Sequence, residues 1–324
     1  MANENKIIAY KGFDKDFKCR DFQYEVGKTY EMNGNIKCCN RGFHACESPM
    51  EVFDHYDMLT SRFAAVEQSG KIDKRESSTK VCSSRIKIKA ELKFADIINL
   101  GVEWLKEITA PFKIKANNCG NDDNYAKIGS SDYYAKIGSS GHYAQIGSSG
   151  DYAQIGSSGD YAQIGSSGHY AQIGSSGDYA QIGSSGDYAK IGSSGHAAKI
   201  GSSGYAAKIG SSGDYAQIGS SGDYAKIGSS GYAAKIGSSG HAAKIGSSGD
   251  YAQIGSGGRN SVVMCAGFNS KAKAAVGSWI TLAEWRKTDG EYKPICVKTE
   301  QVDGKRIKAD TYYKLIDGEF EEVE

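Results

Sequence analysis

Cys38, Cys39, His44 and Cys46 crowd one short stretch of the chain, with Cys19 upstream. Thiolates and imidazoles are the usual ligands of zinc. The spacing C-C-x4-H-x-C is not that of a standard knuckle, and adjacent side chains on a strand point to opposite faces. The expectation is therefore buried free thiols and no cofactor, with structural zinc on Cys38, Cys39, His44 and Cys46 as the alternative. The remaining cysteines fit that reading. The 324-residue chain has 8 Cys, and its polar start, Met1-Ala2-Asn3-Glu4-Asn5-Lys6, is no export signal. A reducing, cytosolic setting is expected.

A second set of chemical groups recurs every nine residues. From Asn124 to Gly258 the unit x-[YA]-A-[KQ]-I-G-S-S-G repeats fifteen times without insertion. Nonapeptide repeats of the G-G-x-G-x-D-x-U-x type bind calcium in their turns. Here the Asp is replaced in eight of the fifteen copies, by His142, His169, His196, His241, Tyr133, Tyr205, Tyr232 and Asn124. Calcium needs a cage of oxygens, and these residues do not supply one. The histidines stand singly and read as solvated turn residues. Tyr143, Tyr161, Tyr179 and Tyr215 occupy position 2 and form an aromatic ladder on the outer face, a candidate surface for a protein partner. Tyr with Lys could stack single-stranded nucleic acid. However, the repeat holds eight Asp and eight Lys, counting Asp132, so a nucleic-acid partner is not expected.

These side chains need a scaffold, and the repeat specifies it. Position 3 is always Ala and position 5 always Ile, while positions 1, 2 and 4 vary. Residues two apart share one face of a strand, so Ala and Ile form the interior. Gly-Ser-Ser-Gly is assigned to the turn, with Gly available for positive φ. Two units close an 18-residue coil of two parallel sheets, whereas three would close a 27-residue triangle. The thin Ala/Ile interior suits the two-sheet β-roll. In the 18-residue coil only Asp160 stacks on Asp178, while Lys190, Lys208, Lys226 and Lys244 stack consecutively. The fold expected is a β-solenoid over residues 117–277 with an α+β head over 1–116 and a C-terminal β-meander cap over 278–324. The cap follows from Trp279 to Trp285, which alternates as a strand, and from the turn pairs Asp289-Gly290, Asp303-Gly304 and Asp317-Gly318. A helix over Ala95 to Ile108 ends before Pro111 and could seal the first coil. The formal charge is +1, which disfavours a polyanion-binding or membrane-surface role for the chain as a whole. No run of ~18 apolar residues crosses a membrane.

The head reads as short strands at Ile7 to Tyr10, Phe22 to Tyr30, Gly42 to Cys46, Arg62 to Val66 and Ser83 to Ala90. Ser48-Pro49 opens a helix, with Ser at the N-cap. Tyr10 to Phe13, Cys19 to Lys28 and Gly42 to Pro49 spell Y-K-G-F, C-R-x-F-Q-Y-E-x-G-K and G-F-H-A-C-E-x-P. The tail spells W-x-x-L-A-E-W over Trp279 to Trp285 and V-D-G-x-x-I-K-x-D-T-x-Y-x-L-x-D-G-E-F over Val302 to Phe320. In these motifs the chain resembles a family of uncharacterised bacterial, phage and prophage proteins that carry such a head, a short-repeat region and such a tail. The repeat wording departs from the A-T-G-rich form of that family. The resemblance implies a phage or prophage origin and no particular reaction. Tyr10-Lys11-Gly12 and Gly42-Phe43-His44 also resemble, loosely, the motifs of ADP-ribosyltransferase-like domains. That likeness implies NAD-using catalysis by Lys11, His44 and a carboxylate such as Glu67, although Lys11 and His44 depart from both motifs.

The function expected is that of a non-enzymatic binding or scaffold protein. Its partner is a host or defence protein, and its roll is a rigid spacer, an extended interface or a homo-oligomer face. The alternatives are the NAD-using enzyme and a virion fibre or spike.

Overall fold

The computed structural model describes residues 6–75, 78–109 and 118–324. The chain divides into two compact units, Met1–Trp104 and Leu105–Glu324. The boundary expected at 116/117 lies outside the described residues, as do most of the polar N-terminal start and Pro111.

The first unit is a small, closed β structure. Its strands are β1 (Ile7–Phe13), β2 (Lys18–Cys19), β3 (Phe22–Gln23), β4 (Thr29–Glu31), β5 (Phe43–Cys46), β6 (Arg62–Lys74) and β7 (Lys80–Leu92). The sheet order is β4-β7-β5-β1-β6, and β6 also pairs with β7, so the ring closes. Closure hides Ala9, Phe13, Ala64, Val66, Ile86 and Ile88 from water. Strands were expected at these places except Lys18–Cys19, and the stretch expected over Phe22 to Tyr30 is split into β3 and β4; β6 and β7 run far longer than their apolar stretches. Their bulges between Ala65 and Val66 and between Ser69 and Ile72 let the hairpin curl. Ser48 does not cap a helix: Pro49 takes the N-cap of a 3-10 turn, Met50–Asp54, without a side-chain bond. Helix α1 (Phe94–Thr109) follows, with the amphipathic spacing read from the sequence. Ile97 and Ile98 pack with Val52, Phe53 and Phe63. No described helix is long and apolar enough to cross a membrane.

The second unit is the β-roll. Among the described residues it has two sheets of 11 strands each, and every repeat strand spans positions 4 to 7, as in Gln154–Ser157. Pairing is parallel with an 18-residue register: Gln154 faces Gln172 and Ile155 faces Ile173. Ala and Ile of successive units form one continuous core. We call the sheet containing Gln154–Ser157 the open sheet and the one containing Gln145–Ser148 the covered sheet. Gly147 of the covered sheet lies against Leu105 and Thr109.

The turn is not the Gly-Ser-Ser-Gly segment. Gly at position 6 and Ser at position 7 belong to the strand, and Ser at position 7 points inward. Ser166, Ser184 and Ser202 are fully buried, with no hydrogen-bond partner for their hydroxyls among the described residues. The chain reverses at positions 9, 1 and 2, and the residue in the left-handed region is the one at position 2. Tyr161 has φ 57° and Ala197 φ 52°. Such a backbone costs an ordinary L-residue about 1–2 kcal/mol. The glycine at position 9 serves packing instead: a Cβ on Gly177 would overlap the carbonyl of Gly159 in the coil below. Stacking distance, and not turn conformation, therefore dictates that glycine. In the degenerate coils Asn260 and Asn269 hold the left-handed position, as turn chemistry favours.

Position 1 closes the coil-to-coil bonding. Asp160 Oδ1 accepts the backbone N–H of Asp178 at 2.9 Å, and Asp151 Oδ1 accepts that of His169 at 2.8 Å. His142 does the same through Nδ1 to Asp160 at 3.2 Å. The Asp thus contributes a cross-coil backbone bond, which explains why His and Asn can replace it.

The C-terminal strands make two hairpins, one for each sheet. Trp279–Thr288 continues the open sheet beside Val262–Cys265, and Glu291–Gln301 pairs back on it. Tyr312–Ile316 joins the covered sheet and pairs with Glu319–Val323. Asp289-Gly290 and Asp317-Gly318 are the tight turns, all four residues having positive φ. Ile280, Leu282, Val302, Ile307, Tyr313 and Leu315 replace the slim repeat core with bulk, closing the end of the roll.

Two adjacent alanines separate strain from packing. Ala197→Gly should be neutral or stabilising by up to about 1 kcal/mol, because it relieves a left-handed alanine. Ala198→Gly, which strips a fully buried methyl, should destabilise by about 1–2 kcal/mol. Urea unfolding of the two variants checks this, and equal losses would contradict the turn assignment.

Candidate functional site

The two faces of the roll differ although their repeats are nearly identical. On the open sheet, Gly156, Gly174, Gly192 and Gly210 are exposed, and a Cβ at any of them would meet nothing. On the covered sheet, Gly147, Gly165, Gly183, Gly201 and Gly219 are buried. The open row is the floor of a groove of about 1150 Å³, walled by position-4 side chains and ending at Val262 and Met264. Met264 and neighbouring Trp279 are 52% and 45% exposed, an apolar step at the groove's end.

Position 4 of this sheet carries Gln154 and Gln172, then Lys190, Lys208, Lys226 and Lys244 in unbroken register. Adjacent strands lie ~4.8 Å apart, so the four lysine side chains are rooted at that spacing. Like charges directly opposite are destabilising. The roll does not need them for packing, since glutamine fills the same place two coils earlier. None of the four has an ion-pair partner among the described residues.

The tyrosines lie at the two edges, not on the flat faces. Tyr143, Tyr161 and Tyr179 stack face to face with centroids 5.0 Å apart. Tyr215 joins the same column through His196, which fills the coil where position 2 is Ala197. The same exchange recurs at Tyr205-Ala206, Tyr232-Ala233 and His241-Ala242. Each coil therefore keeps a ring at the edge, supplied from position 1 when position 2 lacks one. That alternation is written in the sequence and is missed when each position is read separately.

The first unit holds a cavity of about 1180 Å³. Lys11, 4% exposed, reaches into it from β1. Its ammonium contacts Cys19 Sγ at 3.4 Å and the His44 carbonyl at 3.1 Å. It also faces the Phe13, Tyr24 and Tyr56 rings at 5.5, 5.7 and 5.9 Å. Cys19 Sγ lies 3.0 Å from Tyr56 Oη. Burial pulls the Lys11 pKa down, opposed in part by Cys19. Burial and then the Cys19 contact push the Tyr56 hydroxyl up. Gly12 is obligatory because a Cβ there would strike the Tyr56 ring. The trio Lys11, Cys19 and Tyr56 was not visible in the sequence, since Tyr56 lies beyond the 3-10 turn.

Lys11 and His44 both line this cavity, but Glu67 does not. Glu67 pairs with Ile8 on the sheet and is held by Lys6 at 3.2 Å and Lys89 at 3.8 Å. His44 is held below the ordinary imidazole range by burial, then by the charges of Lys11 and Lys80. The four zinc candidates separate. Cys38 and His44 lie together with Cys82, whereas Cys46 sits with Glu51 and His55. In that second group Glu51 already accepts the Thr79 hydroxyl and N–H, at 2.6 and 2.9 Å. Cys39 is exposed. Burial, then Cys38, pushes the Cys82 thiol up to about 12.

With this geometry in view, the comparisons add one assignment. Residues 7–100 match the family model described as "Domain of unknown function (DUF7666)", which coincides with the closed β unit and the start of α1. No curated protein and no solved structure matches the chain.

Among the described residues no carboxylate pairs with the buried Lys11 ammonium, which costs stability. Lys11→Met should raise the melting temperature of the first unit at neutral pH, a gain of about 1 kcal/mol or more. In the wild type the unfolded lysine titrates at 10.5 and the folded one below it. Above the folded pKa the unfolded state binds more protons, so wild-type stability rises with pH up to 10.5 and the advantage of Met shrinks. Thermal unfolding across alkaline pH measures this. A destabilised Met variant would show that the ammonium is needed for the fold.

Proposed function

We propose that the chain is a non-enzymatic binding protein. Its roll presents the open sheet as an extended interface for an acidic, extended segment of a partner protein. The carrying observation is the ladder Lys190, Lys208, Lys226 and Lys244, without ion-pair partners among the described residues, beside a floor of exposed glycines. Carboxylates laid along the groove relieve the repulsion of the stacked lysines. The flat floor admits a backbone at close range, and Met264 and Trp279 offer an apolar anchor at one end. The near-zero charge of the repeat as a whole speaks against general polyanion affinity, because the aspartates line the edges. The end motifs resemble those of prophage-borne proteins, which supports a host or defence factor as the partner and the bacterial cytoplasm as the setting.

A second reading is favoured by the Lys11, Cys19 and Tyr56 cluster: catalysis in the first unit. The NAD-using version of it loses Glu67, which stands outside the cavity, whereas Asp14, Asp21, Glu31 and Asp57 are the carboxylate residues that line it.

The test uses the full chain and a fluorescent oligoglutamate peptide, read by anisotropy at low salt. Replacing all four lysines by Gln should weaken binding at least about tenfold and flatten the salt dependence. Unchanged binding in that variant, or tighter binding of an oligothymidylate than of the peptide, would overturn the reading.

A further inference from the structure

After β1 the chain turns back on itself within a few residues. Asp14 Oδ1 accepts the backbone N–H groups of Asp16 and Lys18 at 2.9 and 2.8 Å, and the Asp14 N–H donates to the Lys18 carbonyl at 2.9 Å. Phe17 has φ 62° and stacks on Phe13 with ring centroids 4.2 Å apart. Beyond it Cys19 pairs with Phe22 in the β2–β3 hairpin. The loop therefore returns the Cys19 sulfur to the side chain of Lys11, eight residues earlier, at 3.4 Å. The His44 carbonyl also holds the ammonium, at 3.1 Å, and Tyr56 Oη lies 3.0 Å from the sulfur. Lys11, Cys19 and Tyr56 all line the cavity, where Cys19 is half-buried. Among the described side chains, Cys19 is the cysteine to which an ammonium donates. Cys46, Cys82 and Cys265 are buried instead, and burial pushes their thiols up.

We propose that Lys11 and Cys19 form a modification site, which hydrogen peroxide converts into a reversible sulfur–nitrogen cross-link. The reacting form of a cysteine is the thiolate. Cys19 Sγ attacks one oxygen of the peroxide. The S–O bond forms, the O–O bond breaks, and the departing hydroxide takes a proton from the Lys11 ammonium and leaves as water. The products are the Cys19 sulfenic acid and the neutral Lys11 amine. A sulfenic acid condenses with a neighbouring nitrogen or thiol. The amine already stands within the near-attack range of about 3–3.5 Å. Lys11 Nζ attacks the sulfur, the S–N bond forms, the S–O bond breaks, and hydroxide leaves as water with a second proton from the nitrogen. One thiolate, one ammonium and one peroxide thus give one sulfenamide and two waters. The sulfur loses two electrons and the peroxide gains them. Tyr56, whose hydroxyl burial keeps protonated, donates to the thiolate and positions it. The link neutralises a buried charge and ties the β2–β3 hairpin to β1. A thiol reductant reverses it by attack on the sulfur.

Treatment of the reduced full chain with equimolar hydrogen peroxide, read by intact mass and peptide mapping, tests this. The wild type should lose two hydrogens, yield a linked peptide pair joining Lys11 to Cys19, and return to its starting mass with dithiothreitol. Lys11→Arg, whose guanidinium does not condense, should leave Cys19 as a sulfenic acid, with dimedone trapping raised at least about fivefold over the wild type. Cys296→Ser should form the link as the wild type does. The wild-type peptide map decides by itself if a variant fails to fold. A Cys19 sulfinic acid beside a free Lys11 amine, a disulfide through Cys19, a link heavier by one oxygen, or oxidation confined to other cysteines would each overturn the proposal.

Discussion

The roll depends on one contact repeated at every coil: the isoleucine at position 5 stacked on its counterpart 18 residues away, with an alanine beside it. Burying an isoleucine contributes about 1.5–3 kcal/mol. The left-handed residue each unit carries costs a comparable amount. The difference is narrow enough that ring stacking at the edges and the Asp-to-backbone bonds become necessary parts of the fold. The same stacking fixes composition elsewhere. After the first unit, which has Asp132 at position 9, only glycine fits there, because the carbonyl of the coil below occupies the place of a side chain. Ends cannot be left as repeats, because an open rung exposes both unpaired backbone and core. The chain ends the roll with the bulky residues of two hairpins.

Register also turns sequence order into surface chemistry. Residues nine apart fall on opposite sheets and residues 18 apart on the same one. A Lys or Gln at position 4 is therefore a choice about one face. The lysines from 190 to 244 that belong to alternate units line up on the open sheet, while those of the intervening units, Lys199 and Lys235, lie on the other. The open sheet has bare glycines and the other has buried ones, so a charge ladder and an accessible floor coincide on one side.

Much of the architecture was legible because the repeat writes its own periodicity. Invariant Ala and Ile two residues apart fixed the inward face, and the thin interior with its sparse stacking of Asp favoured two sheets over three, although Lys190, Lys208, Lys226 and Lys244 stack in that arrangement. The turn was misplaced because glycine was read only as a conformational residue. Tyr161 and Ala197 show that a ladder can hold ordinary residues in the left-handed region, which propensity does not reveal. In the first unit the signal was weaker. Strand positions followed from apolar patterning, but the cavity trio depends on long-range pairing of β1, β5, β6 and β7, for which one sequence carries no mark. Glu67 illustrates the same limit: its charge suggested chemistry, and its strand register turned it toward Lys6 and Lys89.

The 18-residue register is tested most directly by paired nitroxide labels read by continuous-wave electron paramagnetic resonance. Labels at Gln154 and Gln172 should broaden each other strongly, being on neighbouring strands of one sheet. Labels at Gln154 and Gln163, on opposite sheets, should give sharp lines. Strong broadening between Gln154 and Gln181 instead, 27 residues apart, would contradict the two-sheet roll and everything built on it.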